Sequence, residues 1–407
     1  MKDEHDYGAA PHPRVTRREF IRLATITGLA LGIEGCSSAQ ETASDPSSAP
    51  TTAPTDAPTS APTAAPTSEA TAEPTSAPTA EPPAAPTSAP PTAEPPAAPT
   101  SAPLTEPAPT SPPTAKAPPD PLGRVVQVHH AGVWDGDNLV QDAIYQLLDA
   151  SITQLTGQND ADQAWASLFA PHEQIAIKVN VLSICNFWTH APLVMAITAR
   201  LQQVGVPAEQ IVIFDNRTAE LPGAGYTVNK HGPGVRCYGS DGSSTSGWTM
   251  MDTDIGLSDI LLNCDALINV PILKQHDWSG ISFAMKNHYG TFTKPSNFHG
   301  ERIVRGIAEL NALAPIKERT RLIVGDALSI VKSGWQTAAT GDSILMSFDP
   351  VAHDTVGLQL YSQMLAAEGG NPAGVTAQAN AWLNASAELG LGVNDLDSIE
   401  WVDLNLG

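Results

Sequence analysis

The pattern of apolar and polar positions changes near residue 121 of this 407-residue chain. Beyond that point, short runs rich in Val and Ile alternate with longer segments whose apolar residues recur every three or four positions. The short runs predict strands at Arg124–His129, Gln174–Asn180, Ile211–Asp215, Ala266–Val270, Leu322–Asp326 and Ile344–Phe348. The longer segments predict helices at Asn138–Ala150, Pro192–Val204, Leu257–Cys264, Arg302–Leu313, Val351–Ala366 and Pro372–Leu389. This alternation is typical of an α/β fold in which helices flank a mostly parallel sheet in Rossmann-like layers.

Polar residues follow five of the predicted strands. They are Lys178 and Asn180, then Asp215, then Lys274 and His276, then Asp326, and finally Asp349. In parallel sheets, ligands bind beyond the carboxyl ends of the strands, where loops lead into helices. The sequence therefore predicts a single polar rim at one edge of the sheet.

The segment from Lys274 to Gly290 is the densest in chemically versatile side chains. Lysines next to apolar residues bind phosphate or carboxylate groups, and histidines carry protons or ligate metals. We predict ligand-binding roles for Lys178, Asn180, Lys274 and Asn287. We predict catalytic roles for His190, His276 and Lys286. Taken singly, each of these residues is more often structural, and only their clustering favours a ligand site.

Four further residues are candidate metal ligands: Asp215, Asp326, His353 and Asp354. The same residues would alternatively orient a histidine. Asp349 is fully explained as an acidic residue at a helix start. Cys185, Cys237 and Cys264 are too far apart for a CxxC pattern. An iron-sulfur cluster is therefore not expected, whereas a metal or a small organic cofactor stays open.

Several of these motifs resemble the DUF362 family, a domain without an assigned activity. The matching pieces are Ile177-Lys178-Val179-Asn180, Thr189-His190-Ala191-Pro192, Asp215, Asp265 to His276, Ser282, Lys286 to Gly290, Asp326, and Asp349 to Asp354. The resemblance implies a domain over residues 121–407. Some relatives carry ferredoxin-type cysteine clusters, and this chain has none. The resemblance supplies a fold and site positions rather than a reaction.

The first 36 residues have the order of a signal peptide. Arg17 and Arg18 precede Phe20 as in twin-arginine signals, and an apolar run from Leu23 to Ile33 follows. The run is too short to cross a bilayer, which takes about 20 residues. Cys36 lies where a lipidated cysteine is expected. Cleavage near Ala39, with loss of Cys36, is the alternative.

Residues 37–120 consist almost entirely of Ala, Pro, Thr, Ser and Glu. Such a segment cannot bury enough apolar surface to offset the entropy of ordering, so we predict a disordered spacer. A spacer behind a lipid anchor would hold the domain away from a membrane. The expected location is therefore extracytoplasmic and membrane-anchored, with the Tat translocon as a partner during export.

Charge and motifs limit the possible functions. The chain has 21 Lys and Arg against 43 Asp and Glu, a net charge of −22, which disfavours nucleic acid as a partner. It contains no Walker, GxSxG, HExxH or GxGxxG motif. Three hypotheses stay open: an enzyme acting on a small anionic substrate, a non-catalytic solute-binding lipoprotein, and a purely structural surface protein. The lysine and histidine cluster argues against the third.

Overall fold

The computed structural model describes residues 122–182, 186–333 and 337–407. The predictions for the signal peptide with Arg17 and Arg18, for Cys36, for the spacer and for Cys185 lie outside these ranges. Within them, no helix is both long enough and apolar enough to span a bilayer.

The described residues form fourteen strands. They are β1 Arg124–His129, β2 Trp134–Asp135, β3 Asn138–Leu139, β4 Ile175–Lys178, β5 Ile211–Phe214, β6 Arg236–Cys237, β7 Ser244–Met250, β8 Thr253–Ser258, β9 Ala266–Asn269, β10 Ile272–His276, β11 Gly280–Ser282, β12 Thr320–Val331, β13 Ala338–Ser347 and β14 Glu400–Asn405.

Nine helices are present in the described ranges. They are α1 Gln141–Thr156, α2 Ala161–Leu168, α3 Ala191–Gln203, α4 Asp259–Leu262, α5 Ala284–Asn287, α6 Ile303–Ala312, α7 Ala314–Arg319, α8 Pro350–Ala367 and α9 Ala373–Glu388.

Ten strands form one sheet. Its main path runs β14-β1-β13-β12-β9-β4-β5-β6, and β10 pairs with both β11 and β12. The pairs β4–β5, β4–β9, β9–β12, β10–β12, β5–β6 and β1–β14 are parallel, whereas β13 runs antiparallel to β1 and β12, and β11 antiparallel to β10. The predicted α/β class with a mostly parallel sheet is confirmed.

Alternation along β4 shows how the sheet is covered on both faces. Ile175 and Ile177 belong to one buried apolar cluster, which includes Trp165 of α2. Ala176 belongs to a second cluster on the other face, which includes Trp382 of α9. Successive side chains of a strand point to opposite faces, so a strand that is apolar at every position must be covered by helices twice.

Most predicted elements are confirmed within a few residues, but Leu257–Cys264 is not one helix. Leu257 and Ser258 end β8, which forms a hairpin with β7, and only Asp259–Leu262 is helical. The turn uses Met251 and Asp252, both with positive φ. The sequence did not predict this hairpin, because β7 is rich in Ser and Thr and alternates only weakly between apolar and polar residues.

Asp349 does not belong to the polar rim, so that part of the prediction is wrong. Because β13 runs antiparallel to β12, its carboxyl end lies at the opposite edge of the sheet. There the Asp349 carboxylate accepts hydrogen bonds from the backbone N–H groups of Val351, Ala352, Gly123 and Val393 at 2.8–3.0 Å. Asp349 caps α8 and joins it to the amino end of β1.

Candidate functional site

Lys178 lies at the carboxyl end of β4 and is completely buried. Its ammonium donates to the Val179 carbonyl and to Asp215 Oδ1, both at 2.7 Å, and to Asn287 Oδ1 at 3.3 Å. These three acceptors match the three N–H bonds of an ammonium. Lys178 therefore organises the interior of the rim.

Burial lowers the pKa of the Lys178 ammonium, and the neighbouring Asp215 partly offsets this effect. The Asp215 carboxylate also accepts from the backbone N–H groups of Val181 at 2.8 Å and of Asn216 at 2.8 Å. Gly290 packs directly on the ion pair, since a Cβ at this position would overlap both Asp215 Oδ1 and Lys178 Nζ. The pair thus fixes the loops that follow β4 and β5.

Asn287 connects the ion pair to the rest of the rim. Its side-chain oxygen also accepts from Asn180 Nδ2 at 3.2 Å, while its nitrogen donates to Asn269 Oδ1 at 2.7 Å. Asn180 Oδ1 in turn accepts from Lys274 Nζ at 2.7 Å. Since each amide uses oxygen and nitrogen toward defined partners, the network sets the position of Lys274.

The structure therefore brings all four predicted ligand-binding residues into one connected network. They are Lys178, Asn180, Lys274 and Asn287. Lys178 ends β4 and Asn180 follows it, as expected for a parallel sheet, whereas Lys274 lies within β10 and Asn287 ends the short helix α5.

A second group of basic side chains adjoins Lys274. We call it the anion cluster and define it as Lys274, His276, Lys286 and His299. The His276 and His299 rings lie 5.6 Å apart, and Lys286 Nζ is 3.3 Å from His299 Nε2. Both lysines are almost completely buried, at 4% and 6% exposure.

The protonation of His276 follows from these neighbours. Burial, the largest cause, acts together with Lys286, His299 and Lys274 to lower the pKa of His276 to about 2. Its Nδ1 accepts from the backbone N–H groups of Trp278 at 3.3 Å and Ser279 at 3.4 Å. The neutral ring therefore carries its proton on Nε2 and acts as a hydrogen-bond donor there.

Aromatic rings line the anion cluster. Lys286 Nζ lies 4.1 Å from the centre of the Tyr289 ring, a cation–π contact. Trp278 packs 5.4 Å from His299, centre to centre, and half of its surface is exposed. A flat, partly exposed indole beside buried cations offers a planar organic anion a surface on which to stack.

His190 lies at the start of α3 and is paired with Asp326. One carboxylate oxygen, Asp326 Oδ2, accepts from the His190 backbone N–H at 2.8 Å and contacts His190 Nδ1 at 2.8 Å. His190 Nε2 lies 3.4 Å from Ser329 Oγ. Thr189 joins this region to the rim, because its hydroxyl accepts from the Asn180 backbone N–H at 2.9 Å.

The four candidate metal ligands are divided among three side-chain pairs. Asp215 pairs with Lys178 and Asp326 with His190. His353 Nδ1 contacts Asp354 Oδ1 at 2.8 Å, and Asp354 accepts from the backbone N–H groups that open α5. Among the described residues, no three His, Cys, Asp or Glu side chains are grouped to hold a metal ion.

Sequence reasoning missed four residues. Asn269 bridges Asn287 and the Ala284 carbonyl, and the buried His288 lies 3.3 Å from it, with its pKa lowered to about 3 by burial and by Lys178. Asn269 and His288 lie within segments that resemble the DUF362 family, Asp265 to His276 and Lys286 to Gly290, but the resemblance assigns them no role. His299 and Ser329 lie in none of the matching segments.

Comparison with known proteins gives a match to a family model over part of the chain and no match to a curated protein. The model of the DUF362 family, described as a domain of unknown function, matches residues 175–359. No curated protein matches the chain.

Two solved structures are similar in part. The lactate racemase apoprotein of Thermoanaerobacterium thermosaccharolyticum is 10% identical with a TM-score of 0.37, and the alignment covers 58% of this chain and 57% of that one. A structural-genomics protein of Thermotoga maritima is 13% identical with a TM-score of 0.35, covering 56% and 60%. The chain thus spans less than two thirds of either protein.

The family match contains the rim, the anion cluster, His190 and Asp326. The matched residues, 175–359, are fewer than the predicted domain of residues 121–407. The match confirms the resemblance to the DUF362 family. Residues 175–359 of this chain are therefore similar to the DUF362 family, a domain of unknown function.

Proposed function

We propose that the domain binds a small anionic ligand at the anion cluster. The observation that carries this proposal is the clustering of two almost completely buried lysines, Lys274 and Lys286, with His276 and His299, in a chain with a net charge of −22. Lysine ammonium groups are hydrogen-bond donors that bind carboxylate and phosphate groups. The neutral His276 ring adds a directed hydrogen bond from Nε2 to such a ligand.

The ligand is then an organic acid or phosphate with a planar portion. Its charged group contacts Lys274 and Lys286, and its planar portion stacks on Trp278. Lys178, Asn180 and Asn287 position Lys274 from behind. Lys178 itself acts through the network, because its ammonium already donates to three protein acceptors.

An enzymatic role is favoured over simple capture by the protonation of His276. A neutral imidazole that donates from Nε2 stabilises negative charge developing on a substrate oxygen, which is a common contribution to catalysis. If the domain is an enzyme, His276→Gln keeps ligand binding and loses turnover, whereas a capture protein with this substitution keeps most of its affinity and has no turnover to lose.

Titration calorimetry with sulfate, phosphate and malonate tests the binding proposal. We expect each anion to bind wild-type protein, and we expect Lys274→Met and Lys286→Met each to weaken binding at least about tenfold, roughly 1.4 kcal/mol. Lys317→Met is the matched control, since Lys317 is exposed at the end of α7. Equal affinities in all four proteins would contradict the proposal.

The pH dependence of sulfate binding supplies a second readout. Because the pKa of His276 is lowered to about 2 and that of His299 lies below its usual value, both rings are neutral at neutral pH. Sulfate does not titrate in this range. The affinity should therefore stay constant from about pH 7 to about pH 8.

We further propose that the chain is exported through the Tat translocon and anchored to a membrane by lipid on Cys36. The Arg17-Arg18 pair, the short apolar run and the cysteine support this, together with a proline-rich spacer behind them.

Replacing both arginines by lysine should stop export. Cys36→Ala should leave export intact but release the protein from membranes in a fractionation assay; a Cys36→Ala protein that stays with the membrane would contradict lipidation.

A further inference from the structure

We propose that Ser329, His190 and Asp326 form a nucleophile–base–orienter triad that cleaves carboxylic esters with an apolar acyl group. This triad is separate from the anion cluster and does not depend on ligand binding there. It rests on three contacts and on the cavity that they face.

The contacts link an aspartate to a histidine and that histidine to a serine, which is the order found in serine hydrolases. Asp326 Oδ2 lies 2.8 Å from His190 Nδ1, and His190 Nε2 lies 3.4 Å from Ser329 Oγ. Asp326 is completely buried and its second oxygen accepts from the Leu328 backbone N–H at 3.1 Å. The carboxylate is thus fixed on both sides, which fixes the histidine ring.

The partners of His190 also set its tautomer. A carboxylate only accepts hydrogen bonds, so His190 Nδ1 must carry the proton that Asp326 accepts. Nε2 of the neutral ring is then an acceptor, directed at the Ser329 hydroxyl. This is the tautomer that a general base needs. The 3.4 Å contact is long, as nucleophile–base contacts often are without substrate.

The backbone explains why Asp326 and Ser329 lie beside His190, which is distant in the sequence. Asp326 and Ser329 both belong to β12, where the register with β13 shifts between Ala327 and Ser329. Between Asp326 and Ser329, this irregularity changes the face of the sheet toward which the side chains point. His190 caps the neighbouring α3, and its own backbone N–H donates to Asp326.

His190 and Ser329 open onto a cavity of about 720 Å³. Its lining is mainly aromatic and aliphatic, with Trp134, Phe187, Trp188 and Met195. Trp134 packs edge-on against His190 with ring centres 5.6 Å apart, and its Nε1 donates to the Gly341 carbonyl at 2.8 Å. The apolar part of this lining fits an acyl group, and His190 and Ser329 are the polar pair beside it.

The proposed reaction balances without a cofactor. Ser329 Oγ attacks the ester carbonyl carbon while its proton moves to His190 Nε2. The bond from that carbon to the alcohol oxygen breaks, and Nε2 returns the proton to the departing alcohol. Water then attacks the acyl-serine, again through Nε2, to release the carboxylic acid and restore Ser329.

A fluorophosphonate probe on the full chain tests the triad, with intact mass and peptide mapping as the readout. We expect one adduct, on Ser329, and none on that residue's peptide in Ser329→Ala. His190→Gln should slow labelling at least about a hundredfold, because a general base contributes about that factor or more. Ser151→Ala is the control, since Ser151 is a buried serine that donates to the Leu147 carbonyl in α1.

Hydrolysis of p-nitrophenyl butyrate gives an independent measurement. Wild type and Ser151→Ala should turn over the ester, and Ser329→Ala should not. Circular dichroism of each variant checks that it is folded. Failure of folded wild type to label at Ser329, or equal labelling of wild type and His190→Gln, overturns the proposal. Either result leaves anion binding at Lys274 and Lys286 unaffected.

Discussion

Replacing Lys178 by methionine should lower the free energy of unfolding by about 3–5 kcal/mol. The substitution leaves the Asp215 carboxylate, which is 6% exposed, without its only ion-pair partner among the described residues. It also removes hydrogen bonds to the Val179 carbonyl and Asn287. A buried charge that loses its partner keeps its full desolvation cost. Chemical denaturation of the purified full chain measures the effect.

Two further variants separate the ion pair from general damage at the site. Lys230 forms an exposed pair with Asp241 at 3.1 Å, so Lys230→Met should cost no more than about 1 kcal/mol. In the double variant Lys178→Met, Asp215→Asn, the uncompensated charge is gone and part of the stability should return. A Lys178→Met protein as stable as Lys230→Met would show that the pair does not hold the rim together.

Asp349→Ala should destabilise the fold by a similar amount, about 3–5 kcal/mol. The carboxylate satisfies four backbone N–H groups, two at the start of α8 and two from Gly123 and Val393. Loss of a helix cap costs about 1 kcal/mol, and each buried N–H group left unpaired adds about 1–3 kcal/mol. The loss affects α8, β1 and the segment after α9 together.

Asp160→Ala is the matched control for this variant. Asp160 lies at the surface and caps α2 by accepting from one backbone N–H group, that of Gln163, at 2.8 Å. It also accepts from the Gln163 side chain. Its replacement should cost only about 1 kcal/mol. Unfolding midpoints in denaturant compare the two variants. Equal losses from Asp160→Ala and Asp349→Ala would mean that Asp349 contributes as an ordinary cap and does not join distant segments.

The sequence predicted the apolar strands of the parallel sheet for a physical reason, but not the strands β6, β10 and β14. Strands such as Ile175–Lys178 and Ala266–Asn269 are apolar at nearly every position, because both faces are covered. A polar residue that follows such a run lies at the carboxyl edge, as Lys178 and Asn180 do. Lys274 and Asn287 join them from β10 and α5 through hydrogen bonds to Asn180.

The pattern of apolar residues did not predict the direction of each strand. Ile344–Phe348 is as apolar as its neighbours, and only its pairing shows that β13 runs the other way. This single reversal moves Asp349 from the rim to the opposite edge. The sequence pattern does not predict side-chain partners either. Ser329 contacts His190 only because an irregularity in β12 turns its side chain in that direction.

Anomalous diffraction from a crystal soaked in tungstate tests whether an anion binds at the anion cluster. Tungstate is a doubly charged oxyanion whose heavy atom gives a signal that needs no assumption about the ligand. We predict a peak within hydrogen-bonding distance of Lys274 Nζ or Lys286 Nζ, which disappears in the Lys274→Met, Lys286→Met double variant. A peak confined to other surfaces, or no peak at a tungstate concentration that saturates wild-type protein in calorimetry, would contradict anion binding at the cluster.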